Sequence, residues 1–124
     1  MVDRRFFILG AVLALIGVAA GAFGAHGLET RISEDMLAVF ETGVRYQMYH
    51  ALGLIAAAWA HGRWPVAMIR AGGWLFLIGT VLFSGSLYLL SVTGIRWFGA
   101  VTPAGGVAFL AGWACLVRGA WKAK

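Results

Sequence analysis

The sequence predicts an all-α fold, a four-helix transmembrane bundle with short loops, and three observations carry that prediction. Charge-free stretches at 6–28, 46–62, 71–95 and 97–117 take up most of the 124 residues. A hydrocarbon core of about 30 Å needs roughly 20 helical residues, and only helices or closed barrels satisfy their own backbone within it. Composition is the second: 61% hydrophobic and 12% charged residues, with a mean hydropathy of +0.84, leave no segment able to bury a soluble core. The third is the scatter of the ten Lys and Arg residues, which fall between apolar blocks instead of lining one face. A net charge of +5 distributed in this way marks topology and lipid head-group anchoring, and it argues against nucleic acid as a partner.

Residues 1–124 read as one integral membrane domain with spans at about 6–28, 42–62, 71–93 and 100–118. The first has a rival reading as a signal peptide, because Arg4 and Arg5 precede an apolar run and "GAFGA" offers small residues for cleavage. The run is longer than a usual signal core and further spans follow it, so it is read as a transmembrane helix. Gly10, Ala14, Gly17, Gly21, Gly24 and Ala25 share one face of it, with Phe7 and Leu28 beside them. Small residues let helix backbones approach closely, so this face is expected to meet either a neighbour in the chain or another copy.

Ser33, followed by Glu34 and Asp35, is the expected N-cap of a helix running to about His61. Its first turns mix apolar and charged residues, as an amphipathic extension before the second span would. Glu41 and Arg45 are four apart, as are Arg45 and Tyr49, and Tyr46 and His50. Deeper along that side come Gly53, Ala56, Ala57 and Ala60, a packing face. His50 lies one to two turns inside the expected boundary, where an ionisable group faces the bundle or a water-filled cavity. Its structural reading is a neutral imidazole bonded to a Ser, Tyr or carbonyl of a neighbouring helix.

Thr80, Ser84, Tyr88 and Ser91 form a hydroxyl stripe on the third span, suited to bonding carbonyls or to reaching Tyr46 and His50. In the fourth, Thr102 before Pro103 is the expected N-cap and first helical residue, with Trp97 at head-group level. Free N–H groups there would suit an anion or the Glu41 carboxylate.

Orientation follows from the excess of Lys and Arg in cytoplasmic loops. Arg4, Arg5, Arg63, Arg70, Arg118, Lys122 and Lys124 flank one side, and Arg31, Arg45 and Arg96 the other. Both termini are therefore expected in the cytoplasm, with His26, Glu41, Arg45, Tyr49, His50, Ser84, Tyr88 and Thr102 gathered as a polar group toward the outer side. Cys115, the lone cysteine, forms no internal disulfide or thiolate metal cluster.

Four motifs, "GAFGAHGL", "RYQMYHALGL", "LFSGSLYLL" and "TPAGGVAFLAGW", run in order along the chain. In them the chain resembles the small membrane proteins called domain of unknown function four-two-three, over essentially its whole length. The resemblance implies a four-helix bacterial inner-membrane protein and no reaction. It points to Gly24, His26, Gly27, Tyr49, His50, Ser84, Gly85, Tyr88, Thr102, Pro103, Gly105, Gly106 and Gly112 as motif positions. Gly10, Gly17, Gly21, Gly24, Gly105 and Gly112 are taken as helix-packing positions. Ala104 departs from the larger branched residue usual in that family.

The expected role is a structural or accessory membrane component, with lipids as partners and either a homo-oligomer or a larger membrane complex as its setting. A small transporter using Glu41, Arg45 and His50 is the alternative, and a lipid, quinone or haem site using His26 and His50 is a second. No nucleophile with its base, metal-ligand spacing or phosphate loop stands out, so neither an enzyme nor a resident cofactor or metal is expected.

Overall fold

The computed structural model describes residues 1–123, so the charge of Lys124 lies outside the described residues. Four helices account for nearly all of it: α1 (Val2–Phe23), α2 (Glu34–Arg63), α3 (Ala67–Thr93) and α4 (Trp97–Lys122). A π-helical turn, Gly24–Leu28, continues α1. With it, α1 is long and apolar enough to cross a membrane, as are α3 and α4. α2 is less apolar than these three, since it carries Gln47 and His50 in its buried face. It is one of two inner helices, packed against α1 on one side and α3 on the other.

Glycines set the antiparallel register. Along α1, the Cβ positions of Gly10, Gly17, Gly21 and Gly24 would meet Leu54 and Ile55, Met48, Val44 and Phe40 in turn, so α1 descends as α2 climbs. The small-residue face is thereby an intrachain contact, although Ala25 and Phe7 of the expected face are exposed and Phe6 is the fully buried aromatic. Gly53 fits under Phe76 of α3, and Gly72, Gly79, Gly105, Gly112 and Gly119 pair α3 with α4. Close approach of this kind gives lipid-embedded helices the dispersion contacts that replace a hydrophobic drive. Phe6, Leu54, Ala57, Ala58, Phe76 and Phe109 form the continuous core.

The helices are ordered as a row, α1 on α2, α2 on α3 and α3 on α4, with α2 and α4 meeting sparsely. Outside the core the surface is apolar: Leu15, Val18, Leu110 and Val117 are all more than half exposed. Such a surface is stable against hydrocarbon and unstable against water.

Local chemistry fixes the ends. Ser33 caps α2 as expected, its Oγ accepting from the Met36 N–H at 3.3 Å. The 30 residues of α2 span about 45 Å, more than a bilayer core, so its first turns form the amphipathic extension. Three residues link α2 to α3, and the left-handed Gly94 (φ 71°) turns α3 toward α4, its N–H bonding the Leu90 carbonyl. A Cβ there would meet the adjacent carbonyl.

Two expectations need correction. α4 begins at Trp97, not Pro103; the proline sits inside the helix, and the Thr102 hydroxyl bonds Ser86 instead of capping. The anion site expected at Pro103 is therefore absent, because that position is not a helix end. Ala56 is exposed, so the small face of α2 consists of Gly53, Ala57 and Ala60.

Candidate functional site

The interior polar groups of the described residues are organised by α2. Gln47, 3% exposed, spans three helices. Its Nε2 donates to the Leu13 carbonyl of α1 at 2.8 Å, and its Oε1 accepts from the Tyr88 hydroxyl of α3 at 2.7 Å. One amide, donating on one side and accepting on the other, thus ties α1 to α3 through α2. Sequence reasoning missed Gln47; the available signal was an amide inside an apolar, tyrosine-flanked run.

One turn deeper, His50 is 4% exposed and has both ring nitrogens engaged. Trp113 Nε1 donates to its Nε2 at 3.1 Å, and its Nδ1 faces the Tyr46 carbonyl at 2.8 Å. The ring lies flat on Phe109, centroids 3.5 Å apart and planes within 6°. The imidazole is held structurally, but not by the Ser, Tyr or carbonyl of a neighbouring helix expected from the sequence: the cross-helix partner is the Trp113 indole, and the carbonyl belongs to α2 itself.

The hydroxyl stripe of α3 bonds backbone for the most part. Thr80 donates to Phe76 O, Ser91 to Tyr88 O, and Ser84 crosses to the Gly43 carbonyl of α2 at 2.6 Å. Ser86 shares its hydroxyl with Thr102 of α4 at 2.7 Å. No buried side-chain nitrogen or oxygen among the described residues lacks a partner.

The remaining predicted residues do not join this network. His26 is exposed on the π-helical turn, and Glu41, Arg45 and Tyr49 are exposed on α2. Phe40, Gly43 and Gln47 form the buried side of those turns instead. Glu41, Arg45 and His50 are consequently not one relay, and the transporter reading loses its constellation. A haem held by His26 and His50 finds no support either: His26 is not part of the groove that His50 lines, and both His50 nitrogens are engaged.

That groove is a concavity on one side of the bundle. Between α2 and α4, above their contact at His50 and Trp113, an open space of about 820 Å³ separates Tyr46, Tyr49 and Leu52 from Pro103, Gly106, Val107 and Leu110. Phe83 and Phe109 form its back wall. Its surface is mostly apolar, suited to a hydrocarbon chain.

Residues 20–106 match the family described as "Protein of unknown function (DUF423)". The chain belongs to this family. It is 52% identical to the UPF0382 membrane protein YwdK of Bacillus subtilis, over 96% of this chain and 98% of that protein. A UPF0382 membrane protein of Staphylococcus saprophyticus is 50% identical over 96% and 98% of the two chains, and one of Staphylococcus haemolyticus 48% over 96% and 97%. No solved structure matches. The chain is therefore a small polytopic membrane protein of a family without an assigned function.

Proposed function

We propose that the protein is a non-enzymatic structural or accessory component of the bacterial cytoplasmic membrane, oriented with both termini in the cytoplasm. The observation that carries this reading is the complete internal bonding of its buried polar side chains. Gln47, His50, Ser84 and Ser86 hold one helix to the next, an arrangement that rigidifies a bundle and leaves no buried side-chain group among the described residues without a partner. Toward the end where the termini lie, the core consists of Phe6, Ala57, Ala58 and Phe76.

The orientation rests on charge. The antiparallel register brings Arg4, Arg5, Arg63, Arg70, Arg118 and Lys122 to the end where the termini lie, against Arg31, Arg45 and Arg96 at the other. On this reading its partners are membrane lipids and either further copies or a larger membrane assembly, reached through the exposed apolar faces of α1 and α4.

The test is a flux assay on proteoliposomes paired with a folding assay on Gln47→Leu and His50→Phe. The structural reading expects no proton or ion flux from the unaltered protein and reduced stability in both variants. Flux that disappears in a variant of normal stability would overturn it.

A further inference from the structure

Arg45 and Arg96 precede the two walls of the groove between α2 and α4 at helical spacing and form no ion pair among the described residues, and the geometry points to a binding site there for one anionic phospholipid. This inference goes beyond the structural role and does not depend on it. α2 and α4 run parallel, both starting at the end away from the termini. Arg96, the N-cap of α4 with right-handed helical backbone (φ −61°, ψ −23°), Pro103 and Leu110 are spaced by seven, so Arg96 precedes the stripe that forms the groove wall, about 10 Å above Pro103. On α2, Arg45 and Leu52 are likewise seven apart, and Tyr49 is one turn below Arg45. Each wall is thus an apolar stripe ending in an arginine.

Helical side chains lean toward the N-terminus of their helix, which carries both guanidinium groups outward to head-group depth. Both arginines are exposed, and neither forms an ion pair among the described residues. Glu41, one turn further out on α2, leaves Arg45 unpaired. A guanidinium at this depth meets a phosphodiester with paired N–H donors. Below it, Tyr49, Leu52, Phe83 and Val107 offer the acyl chain an aromatic and aliphatic bed. Gly106 keeps that bed open, since its missing side chain would meet nothing closer than the Phe83 ring at 3.9 Å. Basic sites between transmembrane helices select anionic lipid head groups by this combination of charge and crevice.

The experiment is native mass spectrometry of the full chain released from vesicles containing equal phosphatidylglycerol and phosphatidylcholine with matched acyl chains. One phosphatidylglycerol should remain per monomer. The Arg45→Gln/Arg96→Gln variant should weaken retention about thirtyfold, the electrostatic share of two arginines beside a lipid phosphate. Gly106→Leu should expel the lipid by filling the groove, and Arg63→Gln/Arg118→Gln at the opposite end should retain it. Equal retention of phosphatidylcholine, retention unchanged in Arg45→Gln/Arg96→Gln and Gly106→Leu, or a lipid-free dimer whose groove is covered by a second copy would each overturn the proposal.

Discussion

Trp113 donates its indole N–H to His50 Nε2 across 3.1 Å, and this bond sets the protonation of the imidazole. An indole only donates, so Nε2 accepts, and the proton resides on Nδ1, which donates to the Tyr46 carbonyl. Nitrogen-15 NMR of histidine-labelled protein should show a protonated Nδ1 and a bare Nε2 for His50. Trp113→Phe should cost about 1 kcal/mol by leaving Nε2 unpartnered, measured by unfolding in mixed micelles.

The bond from Tyr88 to Gln47 predicts an energetic coupling between α3 and α2, neighbours in the row. Gln47→Leu and Tyr88→Phe each remove one end of the same 2.7 Å bond, so their effects should not add. A double-mutant cycle on unfolding should return a coupling of about 0.6 kcal/mol, with about 1.7 kcal/mol as the upper end for bonds between membrane helices. Gln47→Leu alone should be the more damaging change, because it also deprives the Leu13 carbonyl of its donor.

Glycine substitutions on α3 and α4 should divide sharply by contact. A Cβ at Gly105 would run into the Phe83 backbone, so Gly105→Ala should force α3 and α4 apart and cost about 1–3 kcal/mol. Gly85 has nothing within 4 Å, and Gly85→Ala should be neutral or slightly stabilising through helix propensity. Thermal unfolding of the two variants side by side measures the difference.

Orientation is open to direct chemistry. With Cys115→Ala as background, Glu29→Cys and Pro65→Cys place a thiol in loops at opposite ends of the bundle. A membrane-impermeant maleimide added to intact cells should label the first and spare the second; the reverse pattern would invert the topology.

Much of this architecture was legible in the residues. The apolar lengths gave four helices, three of them apolar enough to cross a membrane, Ser33 gave the start of α2, and the spacing from Gly10 to Gly24 gave a face that the structure places against α2. Each of these is a signal contained within one helix. The misreadings all concern which partner lies across a gap. Gln47 continues the apolar stripe of Phe40 and Gly43 on its own helix, and the bond that accounts for it comes from a tyrosine 41 positions away. Thr102 before Pro103 satisfies a local capping rule, but Ser86 on the neighbouring helix takes the hydroxyl. Glu41 and Arg45 share a stripe with Tyr49, yet the neighbouring stripe of Phe40, Gly43 and Gln47 is the one that turns inward.

The row order of the helices has a consequence for how the protein is made. Each helix finds its main partner in the one synthesised just before it, and Phe6 reaching the Gly73 region of α3 is a side-chain contact beyond that rule. As the chain emerges into the bilayer, every new span can dock at once, with short loop closures and little waiting for a distant segment. The groove between α2 and α4 is the last feature to take shape, because its second wall is the final helix to arrive.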